Sequence, residues 1–139
     1  MNNILSSKLD MMRNLLRAKG AVIGYIFGSY ARGKAGPLSD IDIAVVFPSN
    51  INKEIQGNLV EDIRGGLEKI FGRDKADVVN ITEIKNPLLR YIIMLEEGIP
   101  LFVDDIFLKN KLVMQARRDY EDTRHLRTLQ SQSLSGLFA

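Results

Sequence analysis

Apolar positions along the chain follow a helical period in some stretches and a strand-like pattern in others. In residues 2–19 they recur at helical spacing, which predicts an amphipathic helix that Gly20 ends. Residues 21–27 are apolar and rich in β-formers, so they predict a buried strand. Aspartates alternate with isoleucines at the start of residues 40–47, which predicts a second strand. The first part of the chain is therefore expected to form one helix and two strands.

Similar patterns continue through the middle of the chain. After a break at residues 48–50, apolar residues at helical spacing predict a helix to about residue 71. Gly65 and Gly66 weaken this prediction, because each glycine inside a helix costs about 1 kcal/mol relative to alanine. A third strand is predicted over residues 76–81. The helix would therefore connect the second and third strands.

A shorter helix is predicted next. Asn86 is a favourable helix cap and Pro87 a favourable first helical residue, while Gly98 ends the apolar pattern. Glu96 and Glu97 stand at the end of this helix, and we interpret them as its solvated last turn.

The C-terminal part predicts a short strand and a last helix. The strand covers residues 100–103, and either Asp104 or Asp105 then caps a helix through about residue 127. Arginines make this helix basic, which we interpret as an ordinary charged outer face. Residues 131–139 lack a packing pattern and are expected to be a flexible tail.

Together these elements predict a chain of the α/β (α+β) class, with both helices and strands. Its 139 residues are 45% hydrophobic and 26% charged, a length and composition that suit one compact domain. We expect residues 1–130 to form that domain.

Composition and charge exclude several classes of protein. No long apolar run marks a membrane span and no leader pattern is evident, so we expect a cytoplasmic protein without a membrane partner. The absence of cysteine excludes disulfides and thiolate metal sites. The formal net charge of +2 is too small and too evenly spread to predict nucleic-acid binding.

The most informative stretch lies between the first two strands. Gly28 permits a sharp exit from the first strand, and Ser29 follows where a helix could begin. The Ser29 hydroxyl and the following backbone N–H groups could then point at an anion. Arg32 and Lys34 add positive charge nearby, and arginine can bind phosphate oxygens in bidentate fashion. These four residues predict a phosphate cradle.

Two aspartates begin the second strand. Since strand side chains alternate, Asp40 and Asp42 are expected to point to the same face. Two such carboxylates repel each other when bare, and a hard divalent cation such as Mg²⁺ relieves the repulsion. The simpler interpretation is a glycine-rich turn followed by a strand that carries two surface aspartates.

Gly28-Ser29, ten intervening residues and Asp40-Ile41-Asp42 resemble the GS-x10-DxD signature of the nucleotidyltransferase superfamily that includes DNA polymerase beta. The short chain and the sequences Gly-Ser-Tyr-Ala-Arg-Gly and Ser-Asp-Ile-Asp are similar to those of the minimal nucleotidyltransferase (MNT) branch. They closely resemble the MntA antitoxins that are paired with HEPN-domain (HepT) toxins. The resemblance implies a polymerase beta-like fold, which has a small mixed sheet flanked by helices.

The resemblance also implies a ligand set. A third metal-binding carboxylate is expected on the third strand, where Asp77 is the only acid. Asp40, Asp42 and Asp77 would then hold two Mg²⁺ ions, and Asp77 would assist removal of a hydroxyl proton. ATP is the implied donor, bound by the cradle residues Gly28, Ser29, Arg32 and Lys34. The simpler alternative for Asp77 is an aspartate at the strand entry that faces solvent.

A cognate HEPN ribonuclease toxin is the implied partner, because MNT proteins of this type are understood to adenylylate a toxin tyrosine and silence it. The predicted catalytic core takes up nearly the whole chain, so another molecule must present the acceptor hydroxyl. Two alternatives remain open. One is an antitoxin that acts only by binding the toxin. The other is a small-molecule nucleotidyltransferase, which the absence of an added substrate domain disfavours.

Overall fold

A computed structural model describes the backbone of residues 3–36 and 38–138 and the side chains of residues 7–36 and 38–124. The first half of the chain forms helix α1 (Asn3–Ala18), strand β1 (Ile23–Phe27), the short helix α2 (Gly28–Ala31), strand β2 (Ile41–Val46) and helix α3 (Lys53–Phe71). The second half forms strand β3 (Ala76–Asn80), a 3₁₀ turn (Ile81–Glu83), helix α4 (Pro87–Tyr91), a π-helical turn (Ile92–Glu96), strand β4 (Ile99–Val103) and helix α5 (Ile106–Phe138).

The strands of the described residues form one mixed sheet in the order β3-β2-β1-β4. Strand β1 pairs antiparallel with both β2 and β4, whereas β2 and β3 are parallel. Parallel neighbours need a crossover connection, and α3 supplies it between β2 and β3. The predicted class, a small mixed sheet flanked by helices, is confirmed.

The two faces of the sheet contribute to two hydrophobic cores, because successive strand side chains point to opposite faces. One core lies against α1 and α3 and includes the fully buried residues Met12, Leu16, Ile43, Ile63 and Leu67. The other lies against the π-helical turn and α5 and includes the fully buried residues Ile23, Ala44, Val46, Ile93 and Ala116. The sheet is therefore the middle of three layers.

Helix α3 runs without a break through the glycine pair that weakened its prediction. Close packing accounts for one of the two glycines, since a Cβ at Gly66 would lie 2.7 Å from Cδ1 of Leu15 on α1. The cost of this glycine in helix propensity is thus associated with a close approach of α1 to α3.

The start of α4 follows the predicted cap. Asn86 Oδ1 accepts a hydrogen bond of 2.9 Å from the Leu88 N–H, and Pro87 is the first helical residue. The helix continues into the π-helical turn and ends before Gly98.

Asp105, one of two predicted candidates, caps α5 by accepting a hydrogen bond of 3.0 Å from the Leu108 N–H. Helix α5 continues to Phe138, well beyond its predicted end near residue 127. The single domain over residues 1–130 and the flexibility of residues 131–139 stay predictions, and Ala139 lies outside the described residues. Within the described part of the chain, no helix is long and apolar enough to cross a membrane.

Candidate nucleotidyl-transfer site

The turn after β1 brings the predicted phosphate cradle next to β2. Phe27, the last residue of β1, is the antiparallel partner of Asp42. Gly28 follows with φ of +72°, a backbone conformation that residues with a side chain rarely adopt. The chain then enters α2, with the partly buried Ser29 as its second residue. The sharp exit predicted at Gly28 is therefore present.

Gly28 also lies directly against a predicted metal ligand. A Cβ built at Gly28 would lie only 2.1 Å from Oδ2 of Asp42 and 3.0 Å from its Cγ. Real Cβ atoms essentially never approach another atom this closely. The missing side chain at Gly28 therefore makes room for the Asp42 carboxylate.

Strand register aligns two of the three predicted carboxylates. Asp42 on β2 and Asp77 on β3 are partners in the parallel ladder, so their side chains leave the same face of the sheet. Asp40 precedes β2 by one residue. Asp40 and Asp77 are exposed, whereas Asp42 is half-buried. The shared face of Asp40 and Asp42 stays a prediction. A shift of one residue in β3 would have turned Asp77 to the other face.

The acidic cluster consists of Asp40, Asp42 and Asp77, and the charges of Asp40 and Asp77 act on Asp42. Burial raises the pKa of the Asp42 carboxyl above its ordinary value of 3.8, and the negative charges of Asp77 and Asp40 raise it further. Arg32 opposes this shift, and Glu97 adds to it. Asp42 is therefore ionised at a free-energy cost that a bound cation would relieve.

The two basic residues of the cradle differ in their surroundings. Arg32 Nη1 forms an ion pair of 3.2 Å with Oε2 of Glu97. Lys34 is exposed, and its backbone N–H donates a hydrogen bond of 2.9 Å to the Ser29 carbonyl. Arg32 thus faces the acidic cluster, whereas Lys34 lies on the outer part of the loop.

A family model of the nucleotidyltransferase domain matches residues 12–101, which include the Gly28-Ser29 turn and the aspartates Asp40, Asp42 and Asp77. The chain belongs to the nucleotidyltransferase family. The match also confirms the enzyme class predicted from the GS-x10-DxD signature.

Solved structures of related proteins share the fold. One chain of a toxin–antitoxin complex with AMP-PNP is 20% identical, with a TM-score of 0.66 over 94% of this chain and 98% of that chain. A chain of the tri-AMPylated Shewanella oneidensis HEPN toxin in complex with MNT antitoxin is 18% identical, with a TM-score of 0.62 over 96% of this chain and 98% of that chain. A minimal nucleotidyltransferase is 30% identical, with a TM-score of 0.53 over 69% of this chain and 91% of that chain. The resemblance to minimal nucleotidyltransferases is thereby confirmed. A comparison with curated proteins gave no match.

Glu97 of this nucleotidyltransferase is a site residue that the sequence did not indicate. Its Oε1 accepts a hydrogen bond of 3.0 Å from the Gly28 N–H, while Oε2 pairs with Arg32. The interpretation of Glu97 as part of a solvated helix end was wrong, because the side chain turns inward to the phosphate cradle and is only 22% exposed. The adjacent glutamates Glu96 and Glu97 at the end of a helix carry no local signal that one of them contacts Gly28 and Arg32.

The donor chemistry of the acidic cluster suits Mg²⁺, which prefers carboxylate and phosphate oxygens. The raised pKa of Asp42 agrees with this fit, since burial and then the charges of Asp77 and Asp40 make the bare carboxylate costly to ionise. Among the residues whose side chains are described, no group of three or more aspartate, glutamate or histidine side chains lies where it could hold a metal ion, and this includes the predicted set Asp40, Asp42 and Asp77. A metal ion at Asp42 and Asp77 would therefore need further ligands, which the phosphates of a bound nucleotide can supply.

Proposed function

We propose that this nucleotidyltransferase is an antitoxin that transfers AMP from ATP to a tyrosine hydroxyl of a cognate HEPN ribonuclease toxin and so silences it. The observation that carries the proposal is the strand register, which aligns Phe27, Asp42 and Asp77 on three neighbouring strands. This register puts the glycine turn of the phosphate cradle beside a pair of carboxylates. Such a pairing suits a reaction that handles a triphosphate and a metal ion together.

The chemical step forms a bond between the tyrosine oxygen and the α-phosphorus of ATP. The bond from the α-phosphorus to the oxygen that bridges to the β-phosphate breaks, and pyrophosphate leaves with the bonding electrons. The phenolic proton passes to a carboxylate, for which Asp77 is the candidate because it is accessible and lies opposite Asp42 on the neighbouring strand. The products are an adenylylated toxin and pyrophosphate.

The side chains of the site would divide the work between metal and nucleotide. Asp40, Asp42 and Asp77 would hold Mg²⁺, and two such ions would supply neutralising charge for the phosphates and the leaving group. Ser29, the backbone that follows Gly28, Arg32 and Lys34 would bind and orient the β- and γ-phosphates. The acidic cluster carries excess negative charge, so we expect ATP to bind poorly without Mg²⁺.

The donor and the partner are supported by the relatives that share the fold over nearly the whole chain. One of them is a toxin–antitoxin structure with AMP-PNP, and another contains an AMPylated HEPN toxin with its MNT antitoxin. These proteins share only 18–20% identity with this chain, so tyrosine as acceptor and ATP as donor are proposals for this protein.

The decisive experiment is an intact-mass spectrum of a HEPN-domain toxin from the same organism, after incubation with this protein, Mg²⁺ and ATP. The inactive comparison is Asp40→Ala/Asp42→Ala. A matched control is Asp62→Ala, which removes an exposed aspartate from α3, across the sheet from the site. We expect added mass in whole AMP units with the wild type and with Asp62→Ala, and none with the double variant.

Other outcomes separate the alternatives. A stable complex and a silenced toxin without added mass would show an antitoxin that acts by binding alone. Modification of a small acceptor without any protein partner would instead show a small-molecule nucleotidyltransferase. Added mass that persists with Asp40→Ala/Asp42→Ala would refute the metal-dependent scheme.

A further inference from the structure

We propose that Glu97 is a positioning residue of the nucleotidyl-transfer site, which holds the Gly28 turn and the Arg32 side chain in the arrangement that receives the nucleotide phosphates. The two oxygens of one carboxylate reach the two groups, at 3.0 Å from the Gly28 nitrogen and 3.2 Å from Arg32 Nη1. This role rests on the proposed function in so far as the phosphates are those of ATP. The contacts themselves do not depend on it.

Local backbone structure brings Glu97 to this place. The Glu97 N–H donates a hydrogen bond of 2.9 Å to the Ile92 carbonyl, five residues back, which is a π-type bond. Relative to an α-helix, this extra residue in the turn changes the direction in which the Glu97 side chain leaves the backbone. Gly98 then packs so closely that a Cβ there would lie 1.8 Å from the Ile93 carbonyl oxygen. The irregular turn therefore aims Glu97 at the cradle.

The Arg32–Glu97 pair is too exposed to be mainly a stabilising contact. The Arg32 side chain is 49% exposed and that of Glu97 is 22% exposed, and ion pairs near the surface contribute little to stability. The pair does fix the direction of the guanidinium. The ion pair uses Nη1, and arginine has further donors on Nε and Nη2 that stay available for a phosphate. A side chain that is already held in place loses less conformational freedom when the ligand arrives.

Glu97 also limits competition for the carboxylates. Arg32 lies close enough to Asp42 to act on its charge, and a freed guanidinium would be attracted to that carboxylate. Glu97 provides Arg32 with a different partner. The metal-binding carboxylates are therefore left for cations, while Arg32 stays beside the Gly28 turn.

The test compares Glu97→Ala and Glu97→Gln with the matched control Glu96→Ala, which removes the neighbouring, exposed glutamate. The first readout is amide hydrogen exchange at Gly28, followed by NMR. We expect exchange to be roughly tenfold faster or more in Glu97→Ala, since the N–H loses a charged acceptor. In Glu97→Gln it should stay near the wild-type rate, because the amide oxygen can still accept this bond.

The second readout is the kinetics of AMP transfer to the toxin. We expect Glu97→Ala to raise KM for ATP roughly 10- to 100-fold, as removal of supporting residues does at other sites. The value of kcat should change less, because the phosphates are bound in both the ground state and the transition state. Glu97→Gln should lie between, since it keeps the bond to Gly28 but loses the charge that pairs with Arg32.

Several results would overturn the role of Glu97. One is that Glu97→Ala has the same exchange rate at Gly28 and the same KM for ATP as Glu96→Ala. Another is a lower KM in Glu97→Ala, which would mean that the carboxylate competes with phosphate. If the wild type modifies no HEPN protein, the proposed function fails, and the exchange rate at Gly28 still decides whether Glu97 holds the turn. If Glu97→Ala does not fold, Glu97→Gln carries the kinetic test.

Discussion

Gly28→Ala should disturb the site because the added methyl group meets the Asp42 carboxylate. The new Cβ would lie 2.1 Å from Asp42 Oδ2, whereas ordinary contacts of a Cβ begin at 3.4 Å, so the carboxylate would have to move away. The alanine would also keep a backbone φ of +72°. This left-handed conformation alone costs roughly 1–2 kcal/mol in an L-residue. Displacing Asp42 should add roughly 1–3 kcal/mol, the usual cost of overpacking.

Gly33→Ala separates these two costs. Gly33 has φ of +69°, nearly the same as Gly28, but no atom of the described residues lies within 4 Å of a Cβ built there. We therefore expect Gly33→Ala to lose only the roughly 1–2 kcal/mol of backbone strain. At about 3–4 °C per kcal/mol for a domain of this size, its Tm should fall by roughly 3–8 °C, and that of Gly28→Ala by clearly more.

Urea denaturation of a double-mutant cycle measures the clash directly. In the background Asp42→Ala the carboxylate is gone, so Gly28→Ala should cost no more there than Gly33→Ala does in the wild type. AMP transfer in Gly28→Ala should fall as well, because a displaced Asp42 can no longer hold its ligand. Equal losses of stability in Gly28→Ala and Gly33→Ala, with no coupling to Asp42, would refute the close approach of Gly28 to this carboxylate.

Two further substitutions test the electrostatics and the core. Asp42→Asn should abolish AMP transfer. Without Mg²⁺ at neutral pH it should nevertheless raise the free energy of unfolding by roughly 0.2–1 kcal/mol, because it removes the repulsion between Asp42 and Asp77, which lie directly opposite each other. The raised pKa of Asp42 means that its carboxyl holds a proton more tightly in the folded protein than in the unfolded chain. The stability of the wild type therefore falls as the pH rises from 3.8 through the raised pKa. The gain of Asp42→Asn in Tm should appear across that window and vanish below it; a gain independent of pH would contradict this explanation. Tyr25→Phe should leave the free energy of unfolding unchanged or raise it by about 1 kcal/mol, since the Tyr25 hydroxyl is buried and finds no hydrogen-bond partner among the described residues. A clear loss of stability on urea denaturation would mean that this hydroxyl is paired in solution.

Local patterns in the sequence were sufficient to predict most of the helices and strands, and the family resemblance supplied part of the candidate site. Apolar runs and alternation predicted each strand to within two residues at either end, because the side chains of a strand that face a core must be apolar. Alternation within β2 then separated Asp42 from the isoleucines on either side. Asp77 was singled out by the family resemblance, and the parallel register aligns it with Asp42.

Long-range contacts were beyond the reach of the same reasoning. The bonds that join Glu97 to Gly28 and Arg32 connect residues that are 69 and 65 positions apart. A glutamate before a glycine at a helix end is equally compatible with a solvated last turn, and periodicity does not indicate where a π-type bond redirects a side chain. Gly66 is similar, because only its packing against Leu15 explains why a glycine stands inside a helix.

The parallel pairing of β2 with β3 links the site to the way the molecule folds. Strands β1 and β2 are neighbours in the chain, but Asp77 reaches Asp42 only after α3 has crossed the sheet, and Glu97 arrives later still in the chain. Contacts between distant residues form only after the entropy of closing the intervening chain has been overcome. A partly folded chain could thus contain the glycine turn, Asp40 and Asp42 and still lack the opposing carboxylate. Binding of nucleotide at the proposed site would report that β3 has joined β1 and β2.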